Sequence, residues 1–472
     1  MQIELDNVGI IAKSSINIDG LTVITGSNNS GKSTIGKVAF ALIRSVANYK
    51  VEAIVDRFYY AINQLNGISN IFPFSFKYHL KELNVDQVLL DLFFDTKKIK
   101  NLEIDEIDGY IEKLANALES LSYDPQMQKS KSWAILDSLS NDGGYSAEQF
   151  NKDKEKALAL IRHIVSNING DPDYRKYIKQ SVLEHLDKEF SSQLAPAKDP
   201  SCLVSIDISD DGHKCFSLRL KDWSIEKEED FIFEKSPYNN VVFVDDPYVI
   251  EDEAFWDLSD DSKIKGDSFI ITKWILNHRK DLRRQLKRPG QDNLWQQVVL
   301  SENYKKIVSK IDDVLPGSFV KEGEETYYAN DENVKLKLSN LATGSKMFSI
   351  LKILLERGML DSKTLLILDE PECHLHPEWQ NKFAELVVLL INEIGCHVLL
   401  TTHSQNFMLA IDAMTRKYKI RKISNFYQAK KNGDRVTFEN VNDNLKLIYA
   451  NFLKSFSVMK MEYDSLLAED KE

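Results

Sequence analysis

Two glycines, a lysine and a serine at fixed spacing constrain the fold of this chain more than any other feature. Residues Gly26–Ser33 read GSNNSGKS, which fits the pattern G-x-x-x-x-G-K-[ST] at every fixed position. The apolar run Leu21–Thr25 before it predicts a buried strand, and a helical pattern follows from Lys32 to about Asn48. A glycine-rich turn between a strand and a helix aims backbone N–H groups at an anion. The segment therefore predicts a phosphate-binding loop in an α/β fold.

The side chains of this loop fit a nucleoside triphosphate. Lys32 is placed to reach the β- and γ-phosphates, and the Ser33 hydroxyl is placed to ligate Mg²⁺. A chance glycine turn is the alternative, but an acidic chain offers little other reason for a lysine here. We therefore expect ATP and Mg²⁺ as cofactors. The predicted nucleotide-binding residues of this segment are Gly26, Ser27, Asn28, Asn29, Ser30, Gly31, Lys32, Ser33 and Thr34.

A second segment joins a buried strand to two carboxylates. The run Leu365–Leu368 is fully apolar and ends at Asp369 and Glu370. Ligands of α/β folds bind outside the carboxyl ends of their strands, which is where these acids stand. Asp369 is expected to hold the metal ion together with Ser33. Glu370 is expected to be catalytic and to orient or deprotonate the attacking water.

A histidine ends the next predicted strand. The apolar run that begins at His397 leads into Thr401-Thr402-His403-Ser404. A histidine at this position can hydrogen-bond a γ-phosphate, so His403 is the second predicted catalytic residue. A purely structural role is the alternative.

The order of predicted elements divides the chain into three segments. Residues 1–48 read as strands, the phosphate-binding loop and a helix. Residues 49–198 carry long amphipathic patterns, such as 107–121 and 152–168, and predict a mostly helical insertion. Residues 199–472 are expected to complete the unit that the first segment begins.

Several further elements are predicted within the third segment. Hairpins are predicted at 203–220 and 326–338, a buried strand at 241–244, and helical structure over 268–308. From Ser345 onward, helices alternate with strands. This alternation favours a parallel sheet with helices on both faces, and hence an α/β fold class.

Composition and charge exclude several classes of protein. The chain has 43% hydrophobic and 28% charged residues, which is typical of a globular protein. A net charge of −12 rules out a wholly basic nucleic-acid coat. No uncharged apolar run reaches the roughly 18–20 residues that span a bilayer. The opening MQIELDNVGI is unlike a signal peptide, and the four cysteines show no disulfide-framework spacing, so we expect a cytoplasmic protein.

The segments GSNNSGKST, LLILDEPECHLHPEWQ and TTHS together resemble the core of an ABC-type ATPase head of the SMC, RecF and OLD families. Most of the chain separates Lys32 from Asp369, which is usual for this group and not for transporter ATPases. The resemblance implies an ABC-type P-loop ATPase head with a large helical insertion. It also implies that Glu372–Pro377 crosses a dimer interface. It does not identify a Q-loop glutamine.

The same resemblance implies a site shared between two subunits. Leu341–Ser345 stands at the signature-loop position, where the loop of one subunit contacts the γ-phosphate bound by the other. Thr343, Gly344 and Ser345 therefore join the predicted nucleotide-binding residues. The family usually has serine where Ala342 stands, so the hydroxyl is expected from Thr343 or Ser345. ATP is expected to close a head-to-head homodimer, and larger homo-oligomers would need a second interface.

A closer resemblance is to PtuA, the ATPase subunit of Septu anti-phage systems, and to ATPases that accompany retrons. It is carried by 340–348, 354–358, 370–380 and 402–407. It implies an antiviral role beside a PtuB-like HNH nuclease partner. The stretch after Ser404 has no D-x-D motif, so the Toprim nuclease of OLD proteins is not expected. An SMC/RecF-like DNA-repair ATPase acting directly on DNA is the main alternative; a transporter motor and a nucleotide switch with little turnover are weaker ones.

Two further features have competing interpretations. Six basic residues within ten positions of a predicted helix form either a solvated face or a candidate nucleic-acid or acidic-partner surface: Arg279, Lys280, Arg283, Arg284, Lys287 and Arg288. Cys373, His374 and His376 have the residue types of a zinc site, but no second Cys/His pair stands at a standard spacing. We expect no zinc there.

Overall fold

The computed structural model describes residues 1–73, 76–77, 80, 85–94, 106–124, 145–251, 276–287, 301–322, 325–330 and 335–469. The chain divides into two compact units. Unit 1 comprises Met1–Ala47 with the described residues of Ile178–Ile264 and Ile275–Glu472, and unit 2 comprises the described residues of Asn48–Tyr177. Within these described ranges, no helix is long and apolar enough to cross a membrane.

A mixed sheet of eleven strands organises unit 1. Strands are numbered in chain order: β1 (Gln2–Val8), β2 (Ile11–Asn17), β3 (Leu21–Thr25), β4 (Val204–Asp210), β5 (His213–Leu220), β6 (Phe231–Phe233), β7 (Asn240–Val244), β8 (Ser318–Glu322), β9 (Glu325–Ala329), β10 (Lys335–Lys337), β11 (Thr364–Asp369), β12 (His397–Thr402), β13 (Ser424–Asn432) and β14 (Arg435–Asn440). The order across the large sheet is β6-β5-β4-β1-β2-β14-β13-β3-β12-β11-β7, and β10-β9-β8 form a separate small sheet.

The strands β13, β3, β12, β11 and β7 run parallel to one another. All five residues of β3 are buried, as expected for a strand that is covered on both faces. Val23 pairs with Leu400 on one side and with Phe426 on the other. Because β3, β12 and β11 point the same way, the residues that follow them lie at one edge of the sheet, where α/β proteins bind ligands.

Helices are numbered in the same way: α1 (Lys32–Val46), α2 (Tyr49–Ile68), α3 (Gln87–Phe94), α4 (Ile107–Ser120), α5 (Ala147–Asn169), α6 (Tyr174–Phe190), α7 (His278–Lys287), α8 (Ser301–Asp312), α9 (Thr343–Glu356), α10 (Pro377–Leu389), α11 (Gln405–Lys417) and α12 (Lys446–Glu469). Helix α1 packs closely on the sheet at Gly36. A Cβ there would lie 3.0 Å from Ile367 Cγ2 and 3.2 Å from Phe243 Cζ. The absence of a side chain at Gly36 therefore lets α1 pack this close to β7 and β11.

Unit 2 is helical and has an aromatic core of its own. The Phe76 ring lies 5.4 Å from the rings of both Phe72 and Phe150, and all three side chains are buried. Helix α5 begins where the Ser146 hydroxyl accepts a hydrogen bond of 3.1 Å from Gln149 N, a common helix cap. The packing of these aromatic rings gives unit 2 a hydrophobic core of its own.

The α/β class is confirmed, and the predicted strands at 21–25, 364–368 and 397–401 are β3, β11 and β12. The hairpin predicted at 203–220 is β4–β5, and that at 326–338 contains β9 and β10. Helical structure predicted over 268–308 is found in α7 and α8, and the rest of that range lies outside the described residues. The run Asn141-Asp142-Gly143-Gly144, whose composition indicates a break between helical patterns, also lies outside them.

The prediction of a parallel sheet is right for only half of the sheet. The remaining pairings are antiparallel, except for the parallel pairing of β14 with β2, because hairpins such as β1–β2, β4–β5 and β13–β14 return each strand beside the previous one. Asp211 and Gly212 form one such turn, with φ of +49° and +78°. The strands β6, β8, β13 and β14 were not predicted. Strand β6 has only three residues, and lysine, asparagine and glutamate interrupt the apolar patterns of the other three.

Candidate active site

The glycine-rich loop leads directly from β3 into α1. Gly31 immediately precedes α1 and has φ of +77°, a left-handed conformation that glycine adopts without strain. A Cβ there would also lie 3.2 Å from Ile10 Cγ1. Asn28 and Asn29 are exposed, whereas Ser30 is buried, and its Oγ has no hydrogen-bond partner in the described part of the chain. The loop therefore offers backbone N–H groups and an unused hydroxyl at a helix N-terminus, which favours an anion.

Lys32 is the first residue of α1, and its side chain is almost fully buried. Nζ donates to the carbonyl oxygens of Gly26 at 3.3 Å and Ser27 at 3.1 Å. It also lies 2.7 Å from His403 Nε2 and 3.8 Å from Glu370 Oε1. Burial lowers the pKa of Lys32, and the nearby carboxylates, led by Glu370, only partly oppose this. The lysine is thus held in the curve of the loop, facing the acids that follow β11.

Asp369 and Glu370 stand at the end of β11, against the neighbouring strand β12. Asp369 Oδ1 accepts a hydrogen bond of 2.5 Å from Thr401 Oγ1. Glu370 N donates to the same hydroxyl at 3.1 Å and to Thr401 O at 3.2 Å. Glu370 has φ of +52°, a backbone conformation that costs a residue with a Cβ about 1 kcal/mol or more. The chain turns at this point, and Glu370 Oε1 lies 2.5 Å from His403 Nε2.

Glu372 holds the loop that carries His403. Its Oε1 accepts hydrogen bonds from Thr402 Oγ1 at 2.5 Å, from His403 N at 3.0 Å and from Ser404 N at 3.2 Å. The side chain is 4% exposed, and Oε2 has no hydrogen-bond partner among the described residues. Burial raises the pKa of Glu372, although the donors on Oε1 oppose the shift. From the sequence, Glu372 is expected only in an interface loop. Its hydrogen bonds were not predicted, because their donors stand at the end of β12 and just after it.

These residues fit ATP and Mg²⁺. Ser33 and Thr34 follow Lys32 in the first turn of α1 and are half-buried. The Ser33 hydroxyl and the Asp369 carboxylate are oxygen donors, the ligand type that Mg²⁺ prefers. The loop adds a buried lysine and the unpaired Ser30 hydroxyl for phosphate oxygens. The predicted residues of the loop and the two strand ends therefore come together.

The predicted signature-loop residues form the start of α9. Ala342 is exposed and caps the helix without a side-chain hydrogen bond, Thr343 is half-buried, and Ser345 is only 8% exposed. Thr343 Oγ1 lies 3.0 Å from Tyr248 OH. A Cβ at Gly344 would lie 3.2 Å from the Trp379 ring. A side chain at Gly344 would therefore press on Trp379.

Two contacts of the signature loop were not predicted from the sequence. Tyr248 follows β7 in a short 3₁₀ turn, Pro247–Ile250. Lys346, the next residue of α9 after Ser345, pairs with Glu251 and donates to Ser339 O at 3.1 Å. No sequence pattern links these positions, which lie in distant parts of the chain.

A buried cluster of charges adjoins the end of β7, the neighbour of β11. Glu189 of α6 accepts hydrogen bonds from His278 N at 2.6 Å and from Nδ1 at 2.7 Å, and His278 Nε2 lies 3.0 Å from Asp245 Oδ2. Burial disfavours a charged imidazole, but the two carboxylates prevail and raise the pKa of His278 to about 9. Burial likewise opposes ionisation of Asp245, yet His278 and Arg279 lower its pKa to about 2.

The basic helix α7 takes part in ion pairs within unit 1. Arg279 NH2 donates to Asp245 at 2.7 Å, and Arg284 pairs with the fully buried Asp281. Lys280 is exposed and Arg283 is half-buried. The side chain of Lys287 and all of Arg288 lie outside the described residues. At least two of the six cations therefore stabilise unit 1 itself.

Cys373 contacts Glu370 of the acidic pair. Its Sγ donates to Glu370 Oε2 at 3.5 Å. Burial, followed by the charges of Glu372 and Glu370, raises the pKa of the Cys373 thiol to about 12. The described ranges contain no group of three or more His, Cys, Asp and Glu side chains placed to hold a metal ion.

Known proteins resemble this chain in sequence over different lengths. A family model described as the AAA ATPase domain matches residues 1–408. Over 74 residues, or 16% of this chain, the sequence is 34% identical to the zinc import ATP-binding protein ZnuC of Buchnera aphidicola subsp. Schizaphis graminum. That match spans only 29% of the curated relative.

Several solved structures of SMC heads also match at low identity. The SMC head domain from Thermotoga maritima is 12% identical, with 93% of this chain and 98% of that chain covered and a TM-score of 0.35. An SMC head bound to the C-winged helix domain of ScpA is 11% identical, with coverage of 93% and 96% and a TM-score of 0.40. The family match, in contrast, includes Lys32, the acidic pair and His403. This chain therefore belongs to the AAA ATPase domain family.

Proposed function

We propose that this chain binds ATP with Mg²⁺ and hydrolyses it. One observation carries the proposal: Lys32, Glu370 and His403 come from distant parts of the chain and converge. Their side-chain distances are 2.7 Å from Lys32 to His403, 2.5 Å from His403 to Glu370 and 3.8 Å from Lys32 to Glu370. A cation, a carboxylate and an imidazole beside a phosphate-binding loop are suited to phosphoryl transfer to water.

Each residue has a separate role in this proposal. Lys32 exchanges the loop carbonyls for phosphate oxygens when nucleotide binds. Ser33 and Asp369 would hold Mg²⁺, which offsets negative charge on the phosphate oxygens when it is bound. Glu370 orients the attacking water and takes its proton, and His403 hydrogen-bonds the γ-phosphate through Nε2. This assignment accounts for the carboxylate and the imidazole standing together at the ends of adjacent strands.

A second copy of the chain is proposed to complete each site. Lys32, Asp369 and Glu370 would come from one subunit and the start of α9 from the other. Thr343 is the preferred hydroxyl donor in place of the serine absent at Ala342, because Ser345 is 8% exposed whereas Thr343 is half-buried. ATP would then bridge two like-charged subunits. Larger assemblies would need a second interface, which we propose lies in the helical region between Val51 and Glu189.

The cellular role is proposed from the sequence resemblance to Septu ATPases. In this proposal, the nucleotide state of the ATPase dimer controls a PtuB-like HNH nuclease partner during phage infection. The alternative is an SMC/RecF-like DNA-repair ATPase that acts directly on DNA. The two differ in whether the chain needs a neighbouring nuclease.

Phage plating on cells that carry the chain with its genomic neighbours tests the role. The wild-type locus should reduce plaque formation, and Lys32→Ala should abolish the protection. Deletion of a neighbouring HNH nuclease gene should abolish it equally while the purified ATPase keeps its turnover. Protection that survives Lys32→Ala would contradict the proposal. ATP-dependent DNA binding by the purified chain, with no effect of neighbouring genes, would favour the DNA-repair alternative.

A further inference from the structure

Tyr248 is built into the start of the signature loop. Its hydroxyl lies 3.0 Å from Thr343 Oγ1. Its ring meets the His374 ring edge-on, with centroids 5.7 Å apart, and Lys346 Nζ lies 5.4 Å from the ring centroid. The side chain is nevertheless 42% exposed, so one part of it faces solvent. Tyr248 therefore contacts both the signature loop and the segment that follows the acidic pair.

The backbone around Tyr248 is fixed on both sides. Asp246 accepts a hydrogen bond of 2.9 Å from Tyr248 N, and Val249 and Ile250 are 4% and 1% exposed. Lys346, whose side chain is 4% exposed, pairs with Glu251 just beyond the turn. The turn and the start of α9 are therefore held together by the Lys346–Glu251 pair as well as by the contact between the two hydroxyls.

The geometry of the two hydroxyls restricts how their protons are used. Each hydroxyl has one proton to donate and can also accept. If Tyr248 donates to Thr343 Oγ1, the Thr343 proton remains available to an external acceptor, and the donated bond polarises that hydroxyl. If Thr343 donated to Tyr248 instead, it could not donate to a phosphate. Tyr248 can thus set the direction of the Thr343 proton.

We propose that Tyr248 is a positioning residue that orients the Thr343 hydroxyl toward the γ-phosphate held by a partner subunit. The inference rests on the proposed function, since it needs a site shared by two copies. It assigns Tyr248 to act in trans, on the nucleotide that its own subunit does not bind. An effect in cis, on the nucleotide bound by its own subunit, is the alternative that mixed subunits distinguish.

Tyr248→Phe removes the hydroxyl and keeps the ring that packs on His374. The expected result is a loss of about fivefold in kcat, equivalent to one hydrogen bond, with less change in KM for ATP. Thr343→Val should cause a loss at least as large, Thr343→Ser should retain activity, and the double variant Tyr248→Phe with Thr343→Val should lose no more than Thr343→Val alone. Tyr418→Phe is the matched control, since its hydroxyl bonds Glu385 at 2.7 Å on α10.

Mixed subunits separate action in trans from action in cis. A chain with Lys32→Ala, supplied in large excess, pairs with a chain whose Lys32 is intact, so each mixed dimer has one working site. The baseline is this Lys32→Ala chain mixed with wild type. Tyr248→Phe placed on the chain with intact Lys32 should match the baseline. Tyr248→Phe placed on the Lys32→Ala chain should lower turnover about fivefold, because that chain supplies the signature loop.

The outcomes distinguish this inference from the proposed function. Baseline turnover in both mixtures, or a loss that follows the chain with intact Lys32, would overturn the assignment of Tyr248 in trans. Additive losses in the double variant would overturn its action through Thr343. If excess Lys32→Ala chain does not change the specific activity of wild type at any dilution, each subunit works alone and the shared site itself is wrong.

Discussion

His403 Nε2 lies 2.5 Å from Glu370 Oε1 and, at the same time, is the atom of His403 that faces Lys32. One ring nitrogen cannot serve both neighbours in the same protonation state. Without a proton it accepts from Lys32, and with a proton it donates to Glu370. The two contacts of Nε2 are therefore alternatives, and we expect the phosphate oxygens of ATP to take over the contact that Lys32 makes with His403.

Lys32→Ala should remove most ATP binding. Lys32 is the side-chain cation within the phosphate-binding loop, and its Nζ faces the acids at the end of β11. Without it, phosphate oxygens would approach Glu370 and Asp369 with poor charge compensation. Calorimetric titration with ATP and Mg²⁺ measures the effect. Lys37→Ala, on the same helix but away from the loop, is the control, and equal affinity in both variants would refute this role of Lys32.

Glu370→Gln should bind ATP normally but turn it over about 100-fold more slowly or worse, because the amide keeps the shape and loses the base. Steady-state phosphate release and nucleotide affinity, measured on the same preparation, separate the two effects. Glu378→Gln removes an exposed carboxylate from the first turn of α10 and should leave both unchanged. Unaltered turnover in Glu370→Gln would move the catalytic role elsewhere, with His403 the next candidate.

Glu372→Ala should weaken both the fold and the turnover. It removes the acceptor of the buried Thr402 hydroxyl, at a cost of about 1–3 kcal/mol, and also the acceptor of His403 N, whereas Ser404 N keeps its bond to Thr402 Oγ1 at 3.0 Å. Glu372→Gln should be milder, since Oε1 can still accept all three hydrogen bonds. Urea unfolding and kcat should therefore rank wild type, glutamine and alanine in that order. Equal kcat in the glutamine and alanine variants would show that the Oε1 contacts do not position His403.

His278 should make stability depend on pH. Its pKa is about 9 in the folded chain, against 6.5 for an ordinary histidine. A raised folded pKa stabilises the fold fully below pH 6.5, and this stabilisation, of order 3 kcal/mol, is lost as pH rises through 9. The difference in unfolding free energy between wild type and His278→Gln should shrink over that interval. His213→Gln, at an exposed histidine, should show no such trend; a constant difference for His278→Gln would contradict a charged imidazole.

The sequence predicted those parts of the site that sit on local motifs. Lys32 and Asp369 could be assigned because each stands in a short segment whose spacing reflects one strand and one turn. The acceptor role of Glu372 could not, because its donors follow another strand. One signal in the sequence was not used. Asp245 and Asp246 follow an apolar strand, as Asp369 and Glu370 do, and these two strands, β7 and β11, are neighbours in the sheet.

Long-range pairing also decided which strands were missed. β13 reads SNFYQAKKN, and its lysines and asparagines hide a strand whose first half is buried beside β3. Likewise, the basic pattern of α7 did not indicate that Arg279 pairs with Asp245 and Arg284 with Asp281, because a sequence does not show which charged side chains meet. Periodicity reports which face of an element is apolar, but it does not report which distant charge will meet a cation.

The position of β3 between β12 and β13 has a consequence for the synthesis of the chain. Leu21–Thr25 emerges from the ribosome early, whereas both of its partners are made only after most of the chain. Contacts of such sequence separation close slowly, and domains tend to fold as units while translation continues. The helices of unit 2, which contact one another over shorter spans, are therefore expected to consolidate first. A nascent chain arrested before β12 would hold its phosphate-binding loop on an unpaired strand, exposed to chaperones and unable to retain nucleotide.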